Sequence, residues 1–133
     1  MATAAAVFLV AGCSDGLDPA IEPGYRALEE AYVMDVKPAD AVYTNCGYGL
    51  VDARHVARCG VSFGDTHLAH VGLWELEPQG AKFAAYAMNG KALAALDRIT
   101  RSSSYSSTTY PGAFKSGAGR KPLDVEKVNA VIR

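Results

Sequence analysis

The spacing of apolar positions changes period several times along this chain. Tyr25, Leu28 and Tyr32 recur at i, i+3 and i+7, with Arg26, Glu29 and Glu30 beside them, the pattern of a helix with one buried face. Pro23 suits the first turn, where proline's fixed φ is already helical and its missing N–H costs no bond. Pro38 ends that helix by Lys37 at the latest, because the residue before a proline is pushed out of helical conformation. From Val42 the period falls to two. Val42, Thr44, Cys46 and Tyr48 alternate as one face of a strand. A second strand from Arg54 to Phe63 places His55, Ala57, Cys59, Val61 and Phe63 on one face, and Arg54, Arg58 and Ser62 with Val56 on the other. A hairpin turning near Asp52-Ala53 sets Cys46 opposite Cys59. Residues 51–58 also accommodate a short helix, and periodicity alone does not separate the two readings.

The stretch from His70 to Glu77 carries Val71, Leu73, Trp74 and Leu76, apolar on both faces as in a central strand. Glu77-Pro78-Gln79-Gly80 reads as a turn, with proline second and glycine fourth, and Lys82 to Met88 returns as another strand. Asn89 caps a helix near 90–100 whose Ala92, Leu93, Ala95, Leu96 and Ile99 form a sustained apolar stripe. Residues 101–122 then turn to Ser, Thr, Tyr and Gly. So polar a stretch buries too little apolar area to offset its ordering entropy, which predicts a flexible loop with Tyr105 and Tyr110 as the only surface aromatics. A C-terminal helix starts near Asp124 and docks Val125, Val128 and Val131 or Ile132. The order predicts a single α+β domain over residues 23–133: an antiparallel sheet of about four strands, an N-terminal helix, the helix near 90–100 and a C-terminal helix.

Composition narrows the partners more than the fold. The chain has 133 residues, half of them hydrophobic, room for one core. A net charge of −1 offers no basic face for phosphate neutralisation, so nucleic acid is not an expected partner. Lys115, Arg120 and Lys121 do cluster, but beside glycines in the expected loop. No apolar run reaches the ~20 residues of a membrane-spanning helix.

The apolar stretch Ala4 to Ala11 has the length of a signal-peptide core and ends in Val10-Ala11-Gly12-Cys13. That tetrapeptide resembles the lipobox of bacterial lipoproteins, although Met1-Ala2-Thr3 supplies no basic side chain ahead of it. The resemblance implies a signal peptide over residues 1–12, a lipid on Cys13 that anchors the chain to a membrane, and export to face the periplasm. Ser14, in place of an aspartate, leans toward the outer membrane. Residues 13–22, with Gly16 and Pro19, then read as a tether. Of the 3 cysteines, lipidation of Cys13 leaves Cys46 and Cys59 as a pair. In an oxidising compartment such a pair bridges, and closing a loop of about 14 residues stabilises by roughly 3 kcal/mol in the chain-entropy view.

Three constellations bear on chemistry. Gly60-Val61-Ser62-Phe63-Gly64 has the G-x-S-x-G spacing of a nucleophile elbow, but too little chain follows Ser62 to supply a large parallel sheet with its acid and histidine. Asn45-Cys46-Gly47-Tyr48-Gly49-Leu50-Val51, followed by His70-Val71-Gly72-Leu73-Trp74, resembles a compressed cell-wall cysteine peptidase of the NlpC type. That resemblance implies Cys46 as thiolate nucleophile, His70 as base and Asn89 orienting the imidazole. Asn45 and Gly47 depart from the family's Asp and Ser, and about 24 residues separate Cys46 from His70 where the family spends roughly twice that. Third, Cys46, His55, Cys59, His67 and His70 lie close enough in sequence to raise metal binding, but without the close ligand pairs of a zinc site. No cofactor is expected. The reading that remains is a non-enzymatic, lipid-anchored binding protein of the cell envelope, with an envelope protein or the cell wall as partner. The peptidase and a small metal-binding protein stand as alternatives. Tyr105, Tyr110 and Arg120 of the expected loop are the candidate partner-binding residues, because tyrosine and arginine supply contact area and directional bonds at interfaces.

Overall fold

The computed structural model describes residues 17–101 and 103–132. Helix α1 (Glu22–Ala31) runs into a π-helical turn, Tyr32–Val36. Four strands follow: β1 (Tyr43–Val51), β2 (Arg54–Ser62), β3 (Ala69–Gln79) and β4 (Lys82–Ala87). After them come α2 (Gly90–Thr100), the short α3 (Tyr105–Thr109), β5 (Phe114–Ser116) and α4 (Val125–Val131). The sheet order is β1-β2-β3-β4-β5, antiparallel except that β5 runs parallel to β4. The expected α+β class therefore holds, with a fifth strand that makes the sheet mixed.

Local chemistry sets most of these boundaries. Lys37, before Pro38, has left the helix at ψ 122°. Asp52 and Ala53 take φ of 52° and 64°, the two-residue turn whose twist matches flanking strands, so residues 51–58 are hairpin and not helix. The second hairpin turns two residues later than its Pro-Gly signal indicates. Gln79 pairs with Lys82 and Gly80 takes φ 64°, while Pro78 stays in β3 opposite Phe83. Proline is tolerated there because the ladder to β2 has already ended at Leu76. Asn89 caps α2 as expected, accepting from Ala92 N at 2.9 Å.

Alternation along the strands gives the sheet two covered faces. On one, α1 and α2 bury Tyr25, Leu28, Tyr32 and Ile99 against Ala57, Trp74 and Leu76. On the other, α4 lays Val128 and Ile132 over Val51, Val56 and Leu73. Glycines in β1 permit this approach: a Cβ on Gly47 would stand 2.5 Å from an Ile132 methyl, and one on Gly49 2.4 Å from a Val131 methyl. On the first face the indole Nε1 of Trp74 donates to the buried Tyr32 hydroxyl at 2.9 Å, and Gly72 leaves room for that hydroxyl.

The expected flexible loop over 101–122 is corrected: it holds α3 and β5. Its backbone donors find partners far away in sequence. The Asp35 carboxylate accepts from Tyr105 N at 3.1 Å and Ser106 N at 3.0 Å, while Ser104 Oγ accepts from Ser107 N. Phe114 enters the core and supplies the apolar burial that composition alone concealed. Tyr105 is exposed, but so are Tyr43 and Phe63, and Tyr110 is half-buried. Leu17 and Ile21, expected within the tether, are buried in the α1 face of the core. The signal segment 1–12 and Cys13 lie outside the described residues.

Candidate functional site

A groove of about 580 Å³ opens between the start of α1, the β3–β4 hairpin and the α3–β5 connection. Its aromatic floor follows from strand parity and one distant anchor. Phe83 points to the α1 face of β4, where its ring stands 5.7 Å from that of Tyr110 and 6.0 Å from that of Phe114. Tyr110 is held in place because its hydroxyl donates to Glu30 Oε1 at 2.8 Å, while Tyr105 donates to Glu30 Oε2 at 3.2 Å. One carboxylate on α1 thus grips both tyrosines. That hydrogen bond, with burial, pushes the Tyr110 phenol up to about 12, so it remains a neutral donor across the physiological range. Pro23, Pro111 and Ala113 form apolar walls, with Arg26 and Lys82 at the rim. Arg26 is paired with Glu22 and Glu29, whereas Lys82 forms no ion pair among the described residues. The lining holds no histidine, cysteine or carboxylate, and its tyrosine, arginine and lysine offer contact area and directional bonds.

Of the three candidate partner residues, two meet here or beside it and one does not. Tyr110 lines the groove and Tyr105 stands next to it on α3. Arg120 lies on the opposite face of the sheet, in an ionic cluster. Its guanidinium donates to Glu75 Oε1 at 3.1 Å and Glu77 Oε2 at 3.0 Å, and sits 3.8 Å over the Tyr86 ring. Arg54 adds two bonds to Glu75, at 2.7 and 3.0 Å, and also donates to the carbonyls of Lys121 and Pro122. The Arg54 bonds hold the Glu75 carboxyl below the usual glutamate value despite its burial. Arg120 therefore straps the 117–123 segment to the sheet.

The residues of the catalytic alternative lie on three different elements. Cys46 sits mid-strand in β1 and is joined to Cys59 in a disulfide, as the hairpin register predicts. Its sulfur therefore carries no thiolate. Asn89 spends its side chain on three backbone groups, accepting from Leu73 N and Ala92 N and donating to Val71 O. It staples β3 to α2 and leaves no bond shown to His70, which is exposed at the start of β3 with its ring edge-on to Phe63. Ser62 is buried, with its hydroxyl donating to Asp65 O and accepting from Gly64 N. His55 Nδ1 is bonded to the Tyr48 hydroxyl at 2.7 Å, and His67 is exposed in the β2–β3 connection. Among the described residues no three of His, Cys, Asp or Glu converge as metal ligands.

Sequence reasoning found Tyr110 from composition but missed Phe83 and Glu30. Phe83 read as an ordinary core position, and nothing local marks Glu30 as a tyrosine anchor. No family model, curated protein or solved structure matches the chain.

Proposed function

We propose that this chain is a lipid-anchored, non-enzymatic binding domain of the bacterial cell envelope, held at a membrane through Cys13 and engaging a protein partner at the Phe83–Tyr110 groove. The observation that carries the reading is the Cys46–Cys59 bridge within the β1–β2 hairpin. Structural disulfides belong to oxidising compartments, and lipidation of Cys13 removes the odd thiol. The lipobox-like Val10-Ala11-Gly12-Cys13 supplies an address that agrees with such a compartment. The groove supports the binding half of the reading. Aromatic rings preorganised by edge-to-face contacts and by Glu30 lose little side-chain entropy when a partner covers them, which is how tyrosine-rich surfaces gain affinity.

Site-specific photo-crosslinking in intact cells tests this. A benzophenone side chain is placed at Lys82 or Gln79 in the groove, and at Glu126 on the opposite face as a control. The reading predicts one shared adduct from both groove positions, absent from position 126 and lost when Tyr110→Ala is added. Adducts that are the same from all three positions, or none from the groove, would overturn it.

A further inference from the structure

At the other end of the sheet, a pocket of about 160 Å³ lies between β3, α2 and the exit of the π-helical turn. We infer that it binds a phosphate monoester group, held by Lys91, Arg98 and His70.

Three features converge there. First, charge: Lys91, Arg98 and His70 line the pocket without any carboxylate, in a chain whose net charge is −1. Neither Lys91 nor Arg98 forms an ion pair among the described residues, whereas Arg26, Arg54, Arg101 and Arg120 all do. Second, shape: Lys91 and Arg98 stand seven residues apart on one face of α2, with Ala94 and Ala95 between them. The small side chains leave a concavity, and the apolar walls of Val36, Pro38 and Val61 focus the field of the cations into it. Third, backbone: His70 takes φ 53°, a left-handed conformation that costs a non-glycine residue roughly 1–2 kcal/mol. The strain falls where the β2–β3 register slips between Cys59 and Val61, the kind of bulge that re-aims a side chain. Here it sets His70 at the pocket.

The donor set favours a dianion. Arg98 spends one N–H on Val36 O at 3.0 Å, which fixes the guanidinium at the pocket wall and leaves its other donors available. Lys91 offers three donors, and the ring N–H of His70 adds one more. The Lys91 and Arg98 charges, with a ring N–H of His70, complement a tetrahedral phosphate dianion better than a singly charged carboxylate. The cations are exposed, so affinity rests on their convergence and not on any single pair. The inference is independent of the lipid anchor and of the groove. The group is shared by soluble phosphate esters and by phosphate-headed lipids, and the test separates these sources.

Inorganic phosphate is titrated into the full chain at constant ionic strength while the His70 ring and the Lys91 amide are followed by NMR. Saturable shifts at both are expected, weakened at least fivefold in Lys91→Gln and in Arg98→Gln. Lys91→Gln removes no contact that the fold uses and guards against a folding defect in Arg98→Gln. Acetate at the same ionic strength should produce no saturable shift. Shifts linear in phosphate, equal with acetate, or unaffected by Lys91→Gln would overturn the site. With phosphatidic-acid vesicles, co-sedimentation lost in Lys91→Gln supports the site and identifies a membrane phosphate. Absence of co-sedimentation alongside saturable phosphate binding supports it and identifies a soluble ester.

Discussion

Ala53 occupies a left-handed conformation, φ 64°, that glycine adopts without strain. Relief of ~1 kcal/mol of strain is offset in part by the greater freedom of glycine in the unfolded chain, so Ala53→Gly should stabilise by a few tenths of a kcal/mol. A rise in melting temperature of one to several degrees checks it. Tyr32 works in the opposite direction. Its buried hydroxyl accepts the Trp74 indole N–H, and Tyr32→Phe leaves that donor unpaired in the core at a cost of roughly 1–3 kcal/mol. Urea unfolding should show the midpoint fall with an unchanged slope. Both residues illustrate what a sequence reveals at this scale. The Asp52-Ala53 turn is visible because two alternating segments flank it, but the Tyr32–Trp74 bond joins residues 42 positions apart and leaves no local trace.

The elements that were legible are those whose signals are local. Asn89, Pro38 and the period-two run of β1 each act on their nearest neighbours, and α2, the end of α1 and the first hairpin follow from them. α3 and β5 were hidden for the converse reason. A Ser/Thr/Tyr stretch forms a helix here with the help of Asp35 and Glu30, on two other elements, which accept its backbone and phenol hydrogens. The candidate groove shares that origin, since Tyr110 is positioned by Glu30 while Phe83 is positioned by strand parity. Asp35→Ala should therefore weaken α3 by about 1 kcal/mol, the usual worth of an N-terminal cap. Hydrogen exchange tests this at element resolution: the amides of residues 105–110 should exchange faster while those of β2 and β3 are unchanged. Equal acceleration throughout would mean that α3 is not held separately by this carboxylate.

Across the whole molecule, Glu75 joins the strap at residues 117–123 to the centre of the sheet. Arg54 holds its carboxyl below the ordinary glutamate value, so folding favours its charged form. The stability it contributes is complete above about pH 4.5 and is lost as pH falls through the lower value of the folded state. Glu75→Gln should cost roughly 2–3 kcal/mol at neutral pH, less than a fully dry pair because the arginines keep some access to water. The variant should also lose less stability than the parent as pH falls below about 4.5. Parallel pH profiles for the two proteins would place the acid sensitivity elsewhere.

Intact mass tests whether the chain is exported and anchored at Cys13 with its other cysteines bridged. The protein is taken from native membranes and measured with and without reduction before thiol blocking. The expected mass lacks residues 1–12 and carries acyl chains, with two cysteines blocked only after reduction. An unprocessed mass with all three thiols free would contradict it.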